Sequence, residues 1–364
     1  MPPLDVAATP LLKTATFVLG AALVAYTVLS ALRTFVLPRG AQDFISRTTF
    51  RAIRVIFELR LLVTDDYYVR DRVLAFYAPI GLVTLLPVWL ALIMVGFAGM
   101  FYAVGAGSPI DALEASGSAL LTLGVHKVDG LWQYLLSFAA ATTGLILIAL
   151  LIAYLPTMYA AFSRRESAVN LLEVRAGRPP SAVELIKRYH RIHGFENLAD
   201  LWQTWESWFV DVEESHTSLA ALVYFRSPQP EHSWVTAAGA VLDAAALVRS
   251  TVDLPPDSRA DLCVRAGYLA LRHISDFFQV PYDPNPRPDS PIGVTRAEYD
   301  AACADLADAG VPLRPDRDET WRAFAGWRVN YDVPLRALAG LTASPAAPWS
   351  GDRPLRRRPN GQWT

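Results

Sequence analysis

Several common signatures are missing from this 364-residue chain. Cysteine is scarce: Cys263 and Cys303 are the two present, and neither stands at a metal-like spacing from a histidine. A disulfide-dense scaffold is thereby excluded, and reduced thiols are the simplest reading. Basic excess is missing too, since 33 Lys and Arg face 35 Asp and Glu for a net charge of −2. Apart from the short run Arg356-Arg357-Arg358 there is no dense basic surface, so no nucleic-acid partner is expected. The chain has no Gly-x-Ser-x-Gly elbow, no His-Glu-x-x-His pair, no Cys/His motif and no glycine-rich nucleotide loop. Neither an enzyme nor a cofactor is therefore expected.

Apolar length is what the chain has instead. Hydrophobic residues make up 52% of it and crowd into the first 162 positions. Residues 14–32, part of 73–107, and 131–162 each supply the roughly 20 apolar residues that a membrane helix needs. The first stretch lacks the basic start and small-residue cleavage site of a secretory signal, so it reads as a true span. Residues 39–72 hold seven arginines and 164–191 hold seven Lys or Arg, whereas 104–131 hold only Lys127. Basic loops stay on the cytoplasmic side, which makes this a multi-pass protein of the inner membrane with the 104–131 loop outside and the C-terminal half inside. Within residues 44–63, Phe50, Ile53, Phe57 and Leu61 share one helical side, and Arg47, Arg51 and Arg54 another. That pattern suits a helix lying in the interface of the bilayer, its arginines facing anionic headgroups; the alternative is a helix packed against the C-terminal half.

The outer loop carries its own helix signal. Ser108 suits an N-cap, Pro109 the first turn, and Asp111 the positive end of the helix dipole, so a helix of about ten residues is expected to run to near Leu121. Such a helix is too short to span. A short inserted helix with extended backbone after it is tolerated at membrane depth only where protein or water satisfies its polar groups. Ala115, Ser116, Gly117, Ser118 and Ala119 suit close packing there. Next in the chain comes Thr122-Leu123-Gly124-Val125-His126.

The order of outer helix, short helix, T-L-G-V and inner helix resembles the two-transmembrane pore-loop potassium channel family, over about residues 75–165. The resemblance implies a selectivity filter at Thr122, Leu123, Gly124, Val125 and His126, with backbone carbonyls replacing the water shell of a monovalent cation, potassium in that family. It implies a pore helix carrying Ser108, Pro109, Asp111 and Ser118, and a hinge near Gly144. Pro156 removes a helix hydrogen bond and would kink the inner helix as a gate. One loop per chain implies a homotetramer. Two positions depart from the family's T-V-G-Y-G. His126 stands at the second glycine, where backbone strain of about 1–2 kcal/mol is expected for a residue with a side chain. Val125 stands at the bracing aromatic. His126 is read either as an exposed loop histidine or as a group titrating near neutral pH at the mouth.

The fold class expected is all-α: membrane helices with a re-entrant pore loop, plus a helical cytoplasmic domain. Its segments are 1–72 (first span and interfacial helix), 73–163 (pore module), 164–342 (helical domain) and 343–364 (disordered tail). Capping boxes at Ser181–Glu184 and Thr295–Glu298 open two helices, and further helices are expected over 201–214, 233–248, 257–279 and 318–331. Trp202, Trp205 and Phe209 form a stripe suited to packing. Glu213 and His216 share a helical face, but a bundle metal site needs a second such pair, and His190 and His193 read as surface residues of a basic segment. Two other function classes fit the same chain: a non-conducting membrane-anchored interaction protein, and an enzyme domain tethered to the membrane.

Overall fold

A computed structural model of the chain describes residues 10–37, 43–61, 66–127, 129–356 and 363. Among the described residues the fold is all-helical, with an isolated antiparallel bridge between Val252 and Leu313 and no strand. The chain divides into two compact units. The first comprises Met1–Val63 and Phe76–Tyr159; the second comprises Thr64–Ala75 and Ala160–Thr364.

The first unit holds α1 (Pro10–Phe35), α2 (Phe44–Leu61), α4 (Tyr77–Ala103), α5 (Pro109–Leu120) and most of the apolar half of α6 (Leu131–Ala176). Helices α1, α4 and α6 are long and apolar enough to cross a membrane. Small residues set how α1 meets α4: a Cβ added at Gly20 would stand 2.4 Å from the Gly96 carbonyl oxygen, so the backbones touch where no side chain intervenes. Trp89 Nε1 donates to Ser30 Oγ at 3.0 Å, and Ser30 donates in turn to Asp43, whose carboxylate also takes the Ile45 amide at 2.9 Å. That carboxylate thus caps the first turn of α2 and ties it to α1.

Helix α2 has three faces. The apolar side read from the sequence turns inward: Ile53 is buried, the Phe50 ring lies over Gly81, and Phe57 meets Tyr77 edge to face. Its arginines form a second face. A third, not anticipated, leaves Phe44, Val55, Ile56 and Leu59 exposed.

The second unit contains α3 (Tyr67–Leu74), the end of α6, then α7 (Ala182–Arg191), α8 (Leu198–Ser218), α9 (Trp234–Ser250), α10 (Ser258–Phe277), α11 (Arg296–Asp308), α12 (Arg317–Arg328) and α13 (Asp332–Leu341). Helix α9 is buried on all sides from Trp234 to Val248, and its alanines allow α7, α10 and α12 to close around it. Trp202, Trp205 and Phe209 of α8 belong to this core. A charged network sits within it: Arg328, fully buried, pairs with Asp243 and Asp332 and donates to the Trp349 carbonyl.

The expected disordered tail needs correction over 343–356. Ala347, Trp349 and Ser350 are buried, Arg353 pairs with Glu298 of α11, and the Leu355 amide donates to the Arg336 carbonyl at 2.9 Å. The segment adds apolar surface and carbonyls that the buried arginines need, which its Pro and Gly content concealed. Arg357 and Arg358 lie outside the described residues.

Candidate functional site

Helix α5 begins as its sequence dictates. Ser108 Oγ accepts from the Asp111 amide at 3.3 Å while Asp111 Oδ2 accepts from the Ser108 amide at 2.8 Å, a reciprocal cap with Pro109 in the first turn. Ala112, Ala115, Ser116, Ser118 and Leu120 form its buried side. Ser116 donates to the Met94 carbonyl of α4 at 2.7 Å, fixing the short helix to its neighbour. At its other end a Cβ on Gly144 would come within 2.2 Å of the Leu120 carbonyl oxygen. Gly144 therefore seats the C-terminus of α5 against α6, a packing duty that any hinge there would have to share.

The chain then turns back on Ser118. The Leu123 amide donates to the Ser118 carbonyl at 2.8 Å, and the amides of Val125 and His126 both donate to the Ser118 hydroxyl, at 3.0 and 3.1 Å. A trans peptide points its C=O opposite to its N–H. Two successive amides aimed at Ser118 thus turn the carbonyls of Gly124 and Val125 away from α5, both to the same side. An ordinary extended strand alternates these directions. Left-handed backbone ahead of these amides, with φ +67° at Gly124 and +56° at Thr122, turns the chain back toward α5.

The strain expected at His126 falls elsewhere. His126 has no left-handed φ, while Thr122, β-branched, does, at a cost of about 1–2 kcal/mol. Leu123 and Val125 are exposed in a single chain, at 61% and 77%. The His126 ring is mostly buried, with Nδ1 3.8 Å from a Glu114 carboxylate oxygen, beyond hydrogen-bond reach. Lys127 is exposed, and the Asp129 amide donates to Gln133 at 3.0 Å.

Helix α6 is continuous across Pro156 for 46 residues. In the first unit it buries one stripe, including Leu136, Ala140, Leu147, Tyr154 and Met158, and exposes Phe138, Leu145, Ile152 and Tyr159. The Tyr154 ring meets Phe35 of α1 at 4.6 Å. In the second unit α6 is anchored by Arg165, a residue with no motif to mark it in the sequence. Arg165, 2% exposed, donates to the carbonyls of Leu222 at 2.9 Å and Phe225 at 2.7 Å and pairs with Glu166. Its Nη1 stands 3.1 Å from His216 Nε2. Arginine has no lone pair to offer, so His216 accepts through Nε2 and carries its proton on Nδ1. Burial, and secondarily the Arg165 charge, hold His216 well below the usual histidine range.

Glu213 and His216 part company. Glu213 pairs with His273 Nδ1 at 2.7 Å while His216 faces Arg165, and among the described residues no cluster of metal-ligating side chains forms. His190 lies against Phe195, His193 adopts a left-handed φ of +51°, and both cysteines are buried free thiols. Ser118 was legible as a small residue but not as the acceptor for two amides. Nothing in a serine's spacing announces that, because the turn that returns the chain to it depends on the φ values at 122 and 124. No family model matches the chain, and neither a curated protein nor a solved structure matches it.

Proposed function

We propose that this chain is one subunit of a homotetrameric pore-loop cation channel of the cell membrane, passing monovalent cations, potassium foremost, through carbonyls of residues 122–125. The observation that carries the reading is the paired orientation of the Gly124 and Val125 carbonyls, set by the Ser118 hydroxyl on a capped short helix between two membrane-length helices. Carbonyl oxygens on one side of a strand, brought together from four chains, give the stacked rings that replace an ion's hydration. The C-terminal end of α5 adds negative potential near them. The exposed apolar faces of α6 suit neighbouring subunits and lipid. The basic content of 39–72 and 164–191 favours a cytoplasmic second unit.

Reconstitution of the full chain into liposomes, with potassium and sodium fluxes measured separately, tests the reading. Wild type should conduct, Gly124→Ala should abolish flux, and Ser118→Ala should lose preference between the two ions before it loses conduction. Equal leak in wild type and Gly124→Ala would defeat it and leave a non-conducting membrane anchor.

A further inference from the structure

Residues 64–75 sit in the chain between α2 and α4, yet belong to the second unit. An arginine sits at the centre of that attachment. Arg226 pairs through Nε with Asp71 of α3, and both side chains are 9% exposed. Its Nη2 donates to the Tyr67 hydroxyl at 2.9 Å and to the Ala343 carbonyl at 3.1 Å, and its Nη1 donates to the Thr342 carbonyl at 2.6 Å. Tyr67 in turn donates to the Pro230 carbonyl at 2.8 Å, and Tyr68 to Glu231 at 2.7 Å. Tyr67 thus gives its proton to Pro230 while accepting from Arg226. A single guanidinium thereby joins α3 to the turn that ends α13.

The short link from α3 to the next helix gives this junction its consequence. Only Ala75 and Phe76 separate α3 from α4, and both have right-handed helical backbone. A displacement of α3 has little slack in which to dissipate before it reaches α4. Two helical connections thus run from the second unit into the first: α6, which carries Arg165, and α3, which leads into α4.

We propose that Arg226 is a clasp by which the second unit controls the outer helix α4, so that opening the Asp71–Arg226–Tyr67 junction moves α4 and alters conduction. The conduction part rests on the channel reading; the mechanical part does not. Hydrogen exchange on the full-length protein in lipid tests the mechanical part, with Asp71→Asn as the main variant and Tyr67→Phe as a gentler one. Asp71→Asn should speed exchange about tenfold or more in three places together: α3, residues 342–344, and the first turn of α4. Tyr67→Phe should give the same pattern at smaller amplitude. Acceleration confined to α3 in both variants would overturn the clasp. Flux is the second arm: Asp71→Asn should change the rate several-fold without changing the potassium-to-sodium ratio. A conducting wild type whose variants show the spread exchange but unchanged flux would overturn the control of conduction. A wild type that does not conduct would defeat the channel reading and leave the exchange pattern to judge the clasp.

Discussion

Both units bring chain segments together at glycines, Gly340 against the Leu355 carbonyl in the second, but among the described residues it is the second that is also tied by buried arginines. In the first, helices approach through missing side chains: Gly20 against Gly96, Gly81 under Phe50, Gly144 against the Leu120 carbonyl. In the second, fully buried guanidiniums gather carbonyls and carboxylates from distant segments, Arg165 from 222–225 and Arg328 from Asp243, Asp332 and Trp349. The contrast fits a first unit whose three long helices are apolar enough to cross a membrane. Lipid offers no hydrophobic gain for bringing two apolar helices together, so contact area must come from close approach. Water rewards burial of the α9 core, and that core is large enough to carry charges that are paired and hydrogen-bonded.

The largest test of this contrast removes a charge from the second unit. Arg328→Met leaves the Asp243 and Asp332 carboxylates buried without their partner and frees the Trp349 carbonyl, which should cost about 3–5 kcal/mol. Denaturant unfolding followed by tryptophan fluorescence should show it, with α1 and α4 still helical at concentrations that unfold the second unit. A loss below about 1 kcal/mol would mean that the network is not what holds α9, α12 and the 343–356 segment together.

Next in size comes a methyl group in the first unit. Gly20→Ala sets a Cβ against a backbone oxygen that cannot rotate aside, and overpacking of this kind costs about 1–3 kcal/mol. Gly326→Ala in α12 is the control. Its Cβ would meet Pro288 at an ordinary 3.5 Å, so the variant should gain up to about 1 kcal/mol from helix propensity. Equal effects in the two variants would mean that the approach of Gly20 to Gly96 does not limit the packing of the first unit.

His216 probes the same contrast from the side of the buried charges. Its proton affinity is lowered on folding, so the folded state binds fewer protons than the unfolded chain once pH falls below about 6.5. Stability from this site is therefore complete above that pH and declines below it. His216→Gln can still accept from Arg165 and does not titrate, so the stability difference between variant and wild type should shift in the variant's favour between pH 7 and pH 5. A difference that stays flat over that interval would mean that the histidine is not held neutral.

How much of the fold was legible in the sequence varies with the kind of signal. The three long helices, α2, α5 with its cap, and the starts of α7 and α11 come from local rules of length, periodicity and N-terminal chemistry. The expected capping box closes at α11 and not at α7, where the Ser181 amide donates to the Ala176 carbonyl instead of to Glu184. Helix α13 was not anticipated; its Pro334 stands in the first turn, where a proline costs no helix hydrogen bond. Helix α3 was hidden in what read as a basic loop, since its partner Arg226 lies 155 residues away. At the loop, T-L-G-V was visible as a motif. Its orientation was not, because that depends on Ser118 reaching two amides and on Thr122 accepting a left-handed backbone that its side chain disfavours.

The smallest effect tests the corrected tail. Glu298 receives two hydrogen bonds from Arg353, and its Oε2 also accepts from the Thr295 amide at 2.8 Å; chiefly through Arg353, its carboxyl is lowered from 4.5 to about 2. A group whose folded pKa is depressed adds stability above its unfolded value and loses it as pH falls toward the folded one. The wild type should therefore exceed Glu298→Gln at pH 7, and the gap should close between about pH 4.5 and pH 2. Since the side chain is 36% exposed, solvent screening keeps the gap below about 1 kcal/mol. The same substitution should speed hydrogen exchange at the Leu355 amide, because the Arg353 side chain then loses its charged partner on α11 and keeps Asp352 and the Gly293 carbonyl. A pH-independent gap with unchanged exchange would show that residues 343–356 are held by their other contacts, Trp349 and Arg336 among them, and that the Glu298–Arg353 pair merely decorates the surface.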